Sequence, residues 1–337
     1  MDDQITLRSY SELNENEILS FNAEVYPDIR RFTPDLIRWQ FRVGFDKSIE
    51  PIYVTYKNKI VGQAGILPVT LLNGGNRYQA TWYNRLIVSD SMRGKGAGKL
   101  LTKKWMEFAP IHITNCNDNS MAIFRKMGWE EEFNTVRFAL PINLVKLASS
   151  RHWSGMKLAG TRFLNPLYKI YLHAKFLKSS DSEITNVQKL GLTEMVKDFV
   201  QDGDKYLIKD ENWVRWRLLE SPFRDQYYRL KCGESVIYFR LFNSDGVQRI
   251  NILYQTFSAN NKAAMAAIIH YALKNKIDLV WAISNIPELK RLYTTVLFDK
   301  LETRFAFHCN ANEMMDSIRQ KPIPIQGIDS DYDSMYL

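Results

Sequence analysis

Apolar residues recur along residues 35–129 in two rhythms, one every third or fourth position and one in short alternating or continuous runs. DLIRWQF (35–41) has the helical spacing, with Leu36, Trp39 and Phe41 turned inward. PIYVTY (51–56) and KIVGQAGILPVTLL (59–72) have the strand pattern, parted by the turn KNK (57–59). NGGNR (73–77) is a further hairpin signal. YQATWYNRLIV (78–88) predicts a central strand, KLLTKKWMEFA (99–109) a helix, IHITNC (111–116) a strand, and SMAIFRKMGW (120–129) a helix ending at Gly128. This succession of helix, antiparallel strands, glycine-rich turn, helix, strand and helix is an α+β layout on a mixed sheet.

The second half repeats the plan. RWQF (38–41) has an echo in RWRLLESPF (215–223), and YYRLKCGESVIYFRLF (227–242) resembles the early hairpin. RINILYQTF (249–257) matches the central strand, AAMAAIIHYALKNK (263–276) the helix after the turn, and LVWAISNIPELKRLYTTVLFDK (279–300) the last strand and helix. The turn itself is missing, because TFSANNKAAM (256–265) contains no glycine. Duplication with one intact turn accounts for this pattern; the competing account is the general similarity of α+β segments. The expected units are residues 1–145 and 191–318. Residues 146–190 form a basic helical connector and 319–337 a Pro-containing, acidic tail, extended or loosely held. The connector is either packed across both halves or an amphipathic surface for an anionic membrane.

A length of 337 residues suits two such units. MDDQITLRSY opens acidic and polar, unlike a secretory leader, and AAMAAIIHYAL is far shorter than the roughly 20 apolar residues of a membrane span. No integral membrane segment and a cytoplasmic location are expected. Cys116, Cys232 and Cys309 are odd in number and far apart, and the five histidines lack ligand spacing, so neither a disulfide framework nor a metal site is expected. Net charge is +8, which favours anionic partners, with the cations read as dispersed along the chain.

The densest chemistry lies in MRGKGAGKLL (92–101), at a strand-to-helix junction. Glycines let backbone N–H groups approach a ligand, and the helix start adds unsatisfied N–H groups and a positive dipole end. Arg93, Lys95 and Lys99 reinforce what reads as a pyrophosphate cradle. The nucleotide-binding string G-x-x-x-x-G-K-[ST] fails at Leu100, and G-x-G-x-x-G is also absent.

LIVSDSMRGKGAGKLL followed by NDNSMAIFRKMGW resembles the GNAT superfamily of CoA-dependent N-acyltransferases, most closely the tandem sugar N-acyltransferases of bacterial surface-polysaccharide synthesis. The resemblance covers residues 1–310, strongly over 80–130. It implies two tandem GNAT-like units, each a mixed, mostly antiparallel sheet flanked by helices, with the second copy degenerate. By the same resemblance, Leu86, Ile87 and Val88 hold pantetheine, and Arg93, Gly94, Lys95, Gly96, Ala97, Gly98 and Lys99 wrap the pyrophosphate. Asn119 and Ser120 lie nearer the CoA arm. Where many members carry a tyrosine that protonates the departing thiolate, this chain has Phe124, which has no proton to give, so either another donor such as water or Cys116 serves or the thiolate leaves unprotonated.

Regular strand alternation would put Trp82, Asn84 and Leu86 on one face. Asn84 and Asn115 are the expected orienters of the attacking amine, and Asp118 is a candidate proton acceptor through water or a plain helix N-cap. Trp82, Tyr83 and Trp216 are candidates for acceptor contact, with core filling as the competing role. The implied activity moves an acetyl or short hydroxyacyl group from acyl-CoA to the amine of a dTDP- or UDP-linked deoxyamino sugar. No nucleic acid takes part, and the protein is a monomer or homodimer. Rival readings are a tandem transferase for a peptide, polyamine or cell-wall amine, and a nucleic-acid or membrane-surface adaptor on an inactive transferase fold.

Overall fold

The computed structural model describes residues 5–26, 33–41, 49–132, 134–176, 181–199, 203–296 and 299–329. Its strands form two sheets. Strands β1 (Thr6–Ser9), β2 (Ile52–Tyr56), β3 (Lys59–Asn73), β4 (Asn76–Val88), β5 (Ile111–Asn115) and β6 (Glu130–Glu132) belong to the first. Strands β7 (Val136–Pro141) and β8 (Glu183–Asn186) belong to the second, while β9 (Lys205–Leu207) returns to pair with β3. Strands β10 (Tyr227–Cys232), β11 (Ser235–Ser244), β12 (Val247–Gln255), β13 (Leu279–Ser284) and β14 (Asp299–Glu302) complete the second sheet. The last strand, β15 (Phe305–Cys309), returns to the first. The orders are β1-β2-β3-β4-β5-β15-β6 and β14-β7-β13-β12-β11-β10-β8. Each sheet has one parallel pair, β4 with β5 and β12 with β13.

The sheets exchange strands. β7 ends the first half of the chain yet lies between β13 and β14, and β15 reciprocates between β5 and β6. A division at residue 145 therefore does not coincide with the sheets. VRFALP and FAFHC are both short and apolar, and nothing local to either specifies which sheet it completes.

Helices α1 (Glu15–Val25) and α2 (Pro34–Gln40) precede the first sheet. α1 starts at a capping box of Asn14 and Glu17, and α2 at Thr33 with Pro34 in its first turn, where a missing N–H costs nothing. α3 (Ala97–Trp105) and α4 (Asp118–Arg125) pack Leu101, Trp105, Met121 and Phe124 on the outer face of that sheet. α3 begins two residues before the expected KLL because Gly96 serves as its N-cap. α5 (Leu144–Ser150) and α6 (Gly155–Lys175) form the connector, followed by α7 (Leu192–Asp198) and α8 (Glu211–Val214). α9 (Asn261–Lys274) and α10 (Pro287–Val296) cover the outer face of the second sheet, and α11 (Asn312–Gln320) follows β15.

The inner faces share one core, in which Leu67 and Trp82 of the first sheet cluster with Tyr238 and Tyr254 of the second. At its centre the two sequence echoes meet. Trp39 and Trp216 stack at 5.7 Å, and each indole N–H donates to the other's carbonyl at 2.8 Å. Trp216, a candidate for acceptor contact, is thus a core residue of an internal two-fold arrangement.

The tail expectation is overturned over residues 321–329. The parallel pairing of β12 with β13 stops at Ile252 and Ala282, and the tail enters the gap beyond. Gln326 bridges Ser284, and its amide bonds both backbone groups of Gln255. A Cβ on Gly327 would lie 3.0 Å from the Ile252 carbonyl oxygen, a tight contact that favours glycine here. Ile323, Ile325 and Ile328 join the shared core, and Asp329 pairs with Lys209 at 2.7 Å with the two side chains 3% and 1% exposed. Apolar burial and satisfied backbone groups hold this segment despite its prolines. Residues 330–337 lie outside the described residues.

Removing one member of a buried ion pair strands the other charge. Lys209→Met is expected to lower stability by about 3–5 kcal/mol, read from the urea midpoint at unchanged slope.

Candidate functional site

The two parallel pairs are equivalent, and only one is closed by the tail. β4 and β5 pair from Ala80/Ile111 to Tyr83/Thr114 and then part. The Thr114 hydroxyl donates to the Tyr83 carbonyl at 2.8 Å and pins the vertex. Beneath it, the Trp105 indole donates to Thr81 Oγ1 at 2.6 Å, and Thr81 Oγ1 shares a hydrogen bond with Nδ1 of His112 at 2.7 Å. Beyond the vertex, no backbone pair spans the gap between residues 84–88 and β5 among the described residues.

A bulge shapes the open edge. β3 pairs with β4 at Gly65/Asn84 and resumes at Gln63/Ile87, with Arg85 at φ 50°. This inserted residue reverses the alternation, correcting the regular strand expected from sequence. Trp82 packs in the shared core, whereas Leu86 and Val88 pack with Tyr83 on the α3 side. Arg85 is buried and lies over the Tyr26 ring at 5.7 Å.

The glycine turn follows at once. Gly94 and Gly96 have φ of 77° and 89°, which side-chain-bearing residues rarely adopt, and no atom lies within 4 Å of where their Cβ would be. The first intrahelical bond of α3 runs from Leu100 N–H to the Gly96 carbonyl, so the amides of Ala97, Gly98 and Lys99 have no intrahelical partner. Gly98 serves a different purpose, since a Cβ there would crowd the Ile123 side chain of α4 at 3.3 Å. Arg93, Lys95 and Lys99 are exposed around these amides, with Arg93 held by Asp90 at 2.9 Å. Open space, free amides and three cations fit a pyrophosphate, and the adjoining unpaired strand edge fits a chain of amides such as pantetheine.

Asn84 and Asn115 each sit one residue past the last parallel pair, Tyr83/Thr114, and so flank the mouth of the gap. Asn84 is buried, and neither of its amide atoms has a hydrogen-bond partner among the described residues. Room for it exists only because residue 65 is glycine, where a Cβ would come within 2.0 Å of Asn84 Oδ1 and 2.3 Å of Phe41. Gln40, beside Phe41 at the end of α2, is a second buried amide with both polar atoms unpartnered. Sequence reasoning passed over Gln40, Phe41 and Gly65; the juxtaposition of a strand glycine with a buried amide exists only in three dimensions.

Other candidates take other places. Tyr83 is buried and stacked on Trp105 at 3.7 Å, and burial raises its hydroxyl pKa far above the usual phenol value. The N-cap of α4 is Asn117, not Asp118, and it forms a capping box with Ser120. Asp118 pairs with Arg304, while Asn119 is exposed in the first turn of α4. Phe124 is core, tilted against Trp129. Cys116 points at Met121 Sδ, 3.7 Å away, and burial, helped by Glu131, pushes its thiol pKa up to about 12.

Strand order, bulge, open parallel vertex and glycine turn together belong to a GNAT-like fold. Residues 13–129 match the acetyltransferase (GNAT) family. A GCN5-related N-acetyltransferase from Kribbella flavida aligns over 91% of this chain and 71% of its own, at 13% identity and a TM-score of 0.59. One from Anabaena variabilis aligns over 92% and 74%, at 13% identity and a TM-score of 0.57. The Saccharomyces cerevisiae N-myristoyltransferase with bound myristoyl-CoA aligns over 91% and 79%, at 13% identity and a TM-score of 0.60. None of the curated proteins matches the chain in sequence. The protein is an enzyme of the acyl-CoA N-acyltransferase class.

Two outcomes follow from this geometry. Gly65→Ala should displace Asn84 and reduce acyl-transfer kcat/KM by about ten- to a hundredfold, with CoA affinity by calorimetry unchanged. Burial, assisted by His308, lowers the His112 pKa from 6.5 to about 4. The unfolded chain therefore takes this proton first, so the stability His112 confers is complete above pH 6.5 and is lost as pH falls to about 4. Urea titrations across that window should show an acid-side loss on the order of 3 kcal/mol that His112→Gln reduces.

Proposed function

We propose that the protein transfers an acetyl or short hydroxyacyl group from acyl-CoA to the amine of a nucleotide-linked deoxyamino sugar. The observation that carries this reading is the partnerless buried amide of Asn84 at the mouth of the cleft. An unpaired buried amide costs about 1–3 kcal/mol, and an acceptor amine or hydroxyl repays it.

In this reading, Gly94 to Lys99 hold the pyrophosphate and the edge from Leu86 to Val88 pairs with pantetheine. Asn119, exposed at the start of α4, lies nearer the arm, and Ser120 fixes that helix start. The bound thioester supplies the activated acyl carbon. Asn84 and Asn115 orient the amine toward it, and the backbone beside the Arg85 bulge faces the carbonyl oxygen, where negative charge grows. The C–N bond forms as the C–S bond breaks. Water takes the amine proton and returns one to the thiolate, since Phe124 has none and Cys116 faces the core.

Asn84 and Gln40 are amides, which position but do not deprotonate. That suits an amine already largely neutral near pH 7. An amine beside ring oxygens is nearer the roughly 7.7–8.0 of an α-amine than the roughly 10.4 of lysine. Orientation then supplies the acceleration, with effective molarities of about 10⁵ M or more. Asp118 is paired to Arg304 at the rim and leaves proton transfer to the water.

Purified protein incubated with acetyl-CoA or a hydroxyacyl-CoA and a panel of dTDP- and UDP-amino sugars should release free thiol. Turnover on peptide amines with none on any amino sugar would replace this acceptor assignment. Gly96→Val should weaken CoA binding by at least about tenfold, because valine resists positive φ and crowds the amides. Unchanged affinity would remove the cradle from the mechanism.

A further inference from the structure

We propose that α6 and the groove at its start are a docking face for an anionic lipid bilayer. This inference goes beyond the reaction and does not rest on it.

Eight large apolar side chains are exposed among the described residues, and seven of them lie between Trp153 and Tyr171. One face of the connector's long helix, α6, is therefore left uncovered by the rest of the chain. α6 turns Leu158, Thr161, Asn165, Tyr168 and Leu172 inward, where Asn165 accepts from the Leu144 N–H at 2.9 Å and the Tyr168 hydroxyl donates to the Pro141 carbonyl at 2.8 Å. At about 100° per residue, the opposite face is a stripe of Met156, Phe163, Leu167 and Ile170. Met156 is 92% exposed, Phe163 76% and Ile170 64%. Lys157 and Lys175 flank the stripe on one side, Arg162 and Lys169 on the other, by the same rotation. Long cationic side chains along an apolar stripe keep their heads in water while the stripe enters the acyl boundary.

Charge singles out the same segment. Residues 133–180 contain eight Lys or Arg and no Asp or Glu, so the remaining 37 cations equal the chain's 37 acids. The whole net charge of +8 belongs to this segment, which corrects the dispersed reading. Beside Trp153, a groove of about 1080 Å³ is lined by Arg137, Lys146, Arg151, His152 and Arg249, with Asp245 the one acid. Such a groove suits phosphate headgroups. A second copy would bring two like-charged segments together, and a nucleic-acid groove has no use for an aliphatic stripe. α6 is not long and apolar enough to cross a membrane, so the helix lies in the plane of the surface.

The test is co-sedimentation of the full chain with vesicles of phosphatidylcholine alone or mixed with phosphatidylglycerol. The mixed vesicles should retain at least about tenfold more protein, and added salt should release it. The double variant Phe163→Asp, Ile170→Asp should lose this binding with its melting temperature and CoA affinity unchanged. Wild-type protein left in solution with both vesicles, or a double variant that binds as wild type does, overturns the proposal. So does a wild-type dimer in light scattering that the double variant makes monomeric.

Discussion

A buried strand edge must find hydrogen-bond partners, and this molecule has two such edges. Wherever a parallel pair parts inside a folded chain, the exposed N–H and C=O groups face either a ligand or another stretch of backbone. β12 and β13 part beyond Ile252 and Ala282, and residues 321–329 fill the gap with a bridge, two side-chain amide bonds and a glycine pressed onto the Ile252 carbonyl. β4 and β5 part beyond Tyr83 and Thr114 with no such insert among the described residues. The same constraint thus makes one copy a structural support and leaves the other as a cleft. The missing glycine turn at 256–265 belongs with this: a cleft closed by its own tail has no need of a phosphate cradle.

Strand exchange ties the two fates together. Because β15 completes the sheet that carries the cleft, and the chain runs on from β15 through α11 to the tail, the last residues serve both sheets in turn. Arg304, just before β15, pairs with Asp118 at the start of α4, and its carbonyl accepts from the Cys116 N–H. The second half therefore reaches the rim of the first half's cleft directly. The Trp39–Trp216 stack fixes α2 against its own repeat and so fixes Phe41, which lies against Gly65 next to Asn84. The surroundings of Asn84 thus depend on a contact between the two sequence echoes.

What the sequence disclosed was what local backbone chemistry determines. Gly94 and Gly96 take the positive φ that a glycine turn permits, whereas the cap of α4 falls one residue before the expected Asp118, on Asn117. The RWQF and RWRLL echo was legible as repetition, though its meaning as a reciprocal indole stack was not. The Arg85 bulge was hidden, because one residue at positive φ leaves no compositional mark and yet moves Leu86 to the other face of β4. Partner choice for β7 and β15 was hidden as well, since pairing is settled by distant strands. The tail carried a sign in its closely spaced Ile323, Ile325 and Ile328, masked by two prolines that suggested a loose end. Charge was legible by arithmetic over 133–180, but the exposure that gives it meaning needed coordinates.

The polarity of the cleft argues about the acceptor independently of family likeness. A site built to deprotonate a lysine-like amine has to lower the population of its ammonium form, and a buried carboxylate or histidine is the usual means. Here two buried amides, Asn84 and Gln40, lack hydrogen-bond partners among the described residues, and the carboxylate at the start of α4, Asp118, is committed to Arg304. Amides reward a substrate that arrives neutral and needs only alignment, and they penalise one that arrives charged, because desolvating an ammonium without a counter-ion is costly. In the proposed reaction, selection between acceptors would then lie in the amine's own pKa, with the protein adding geometry.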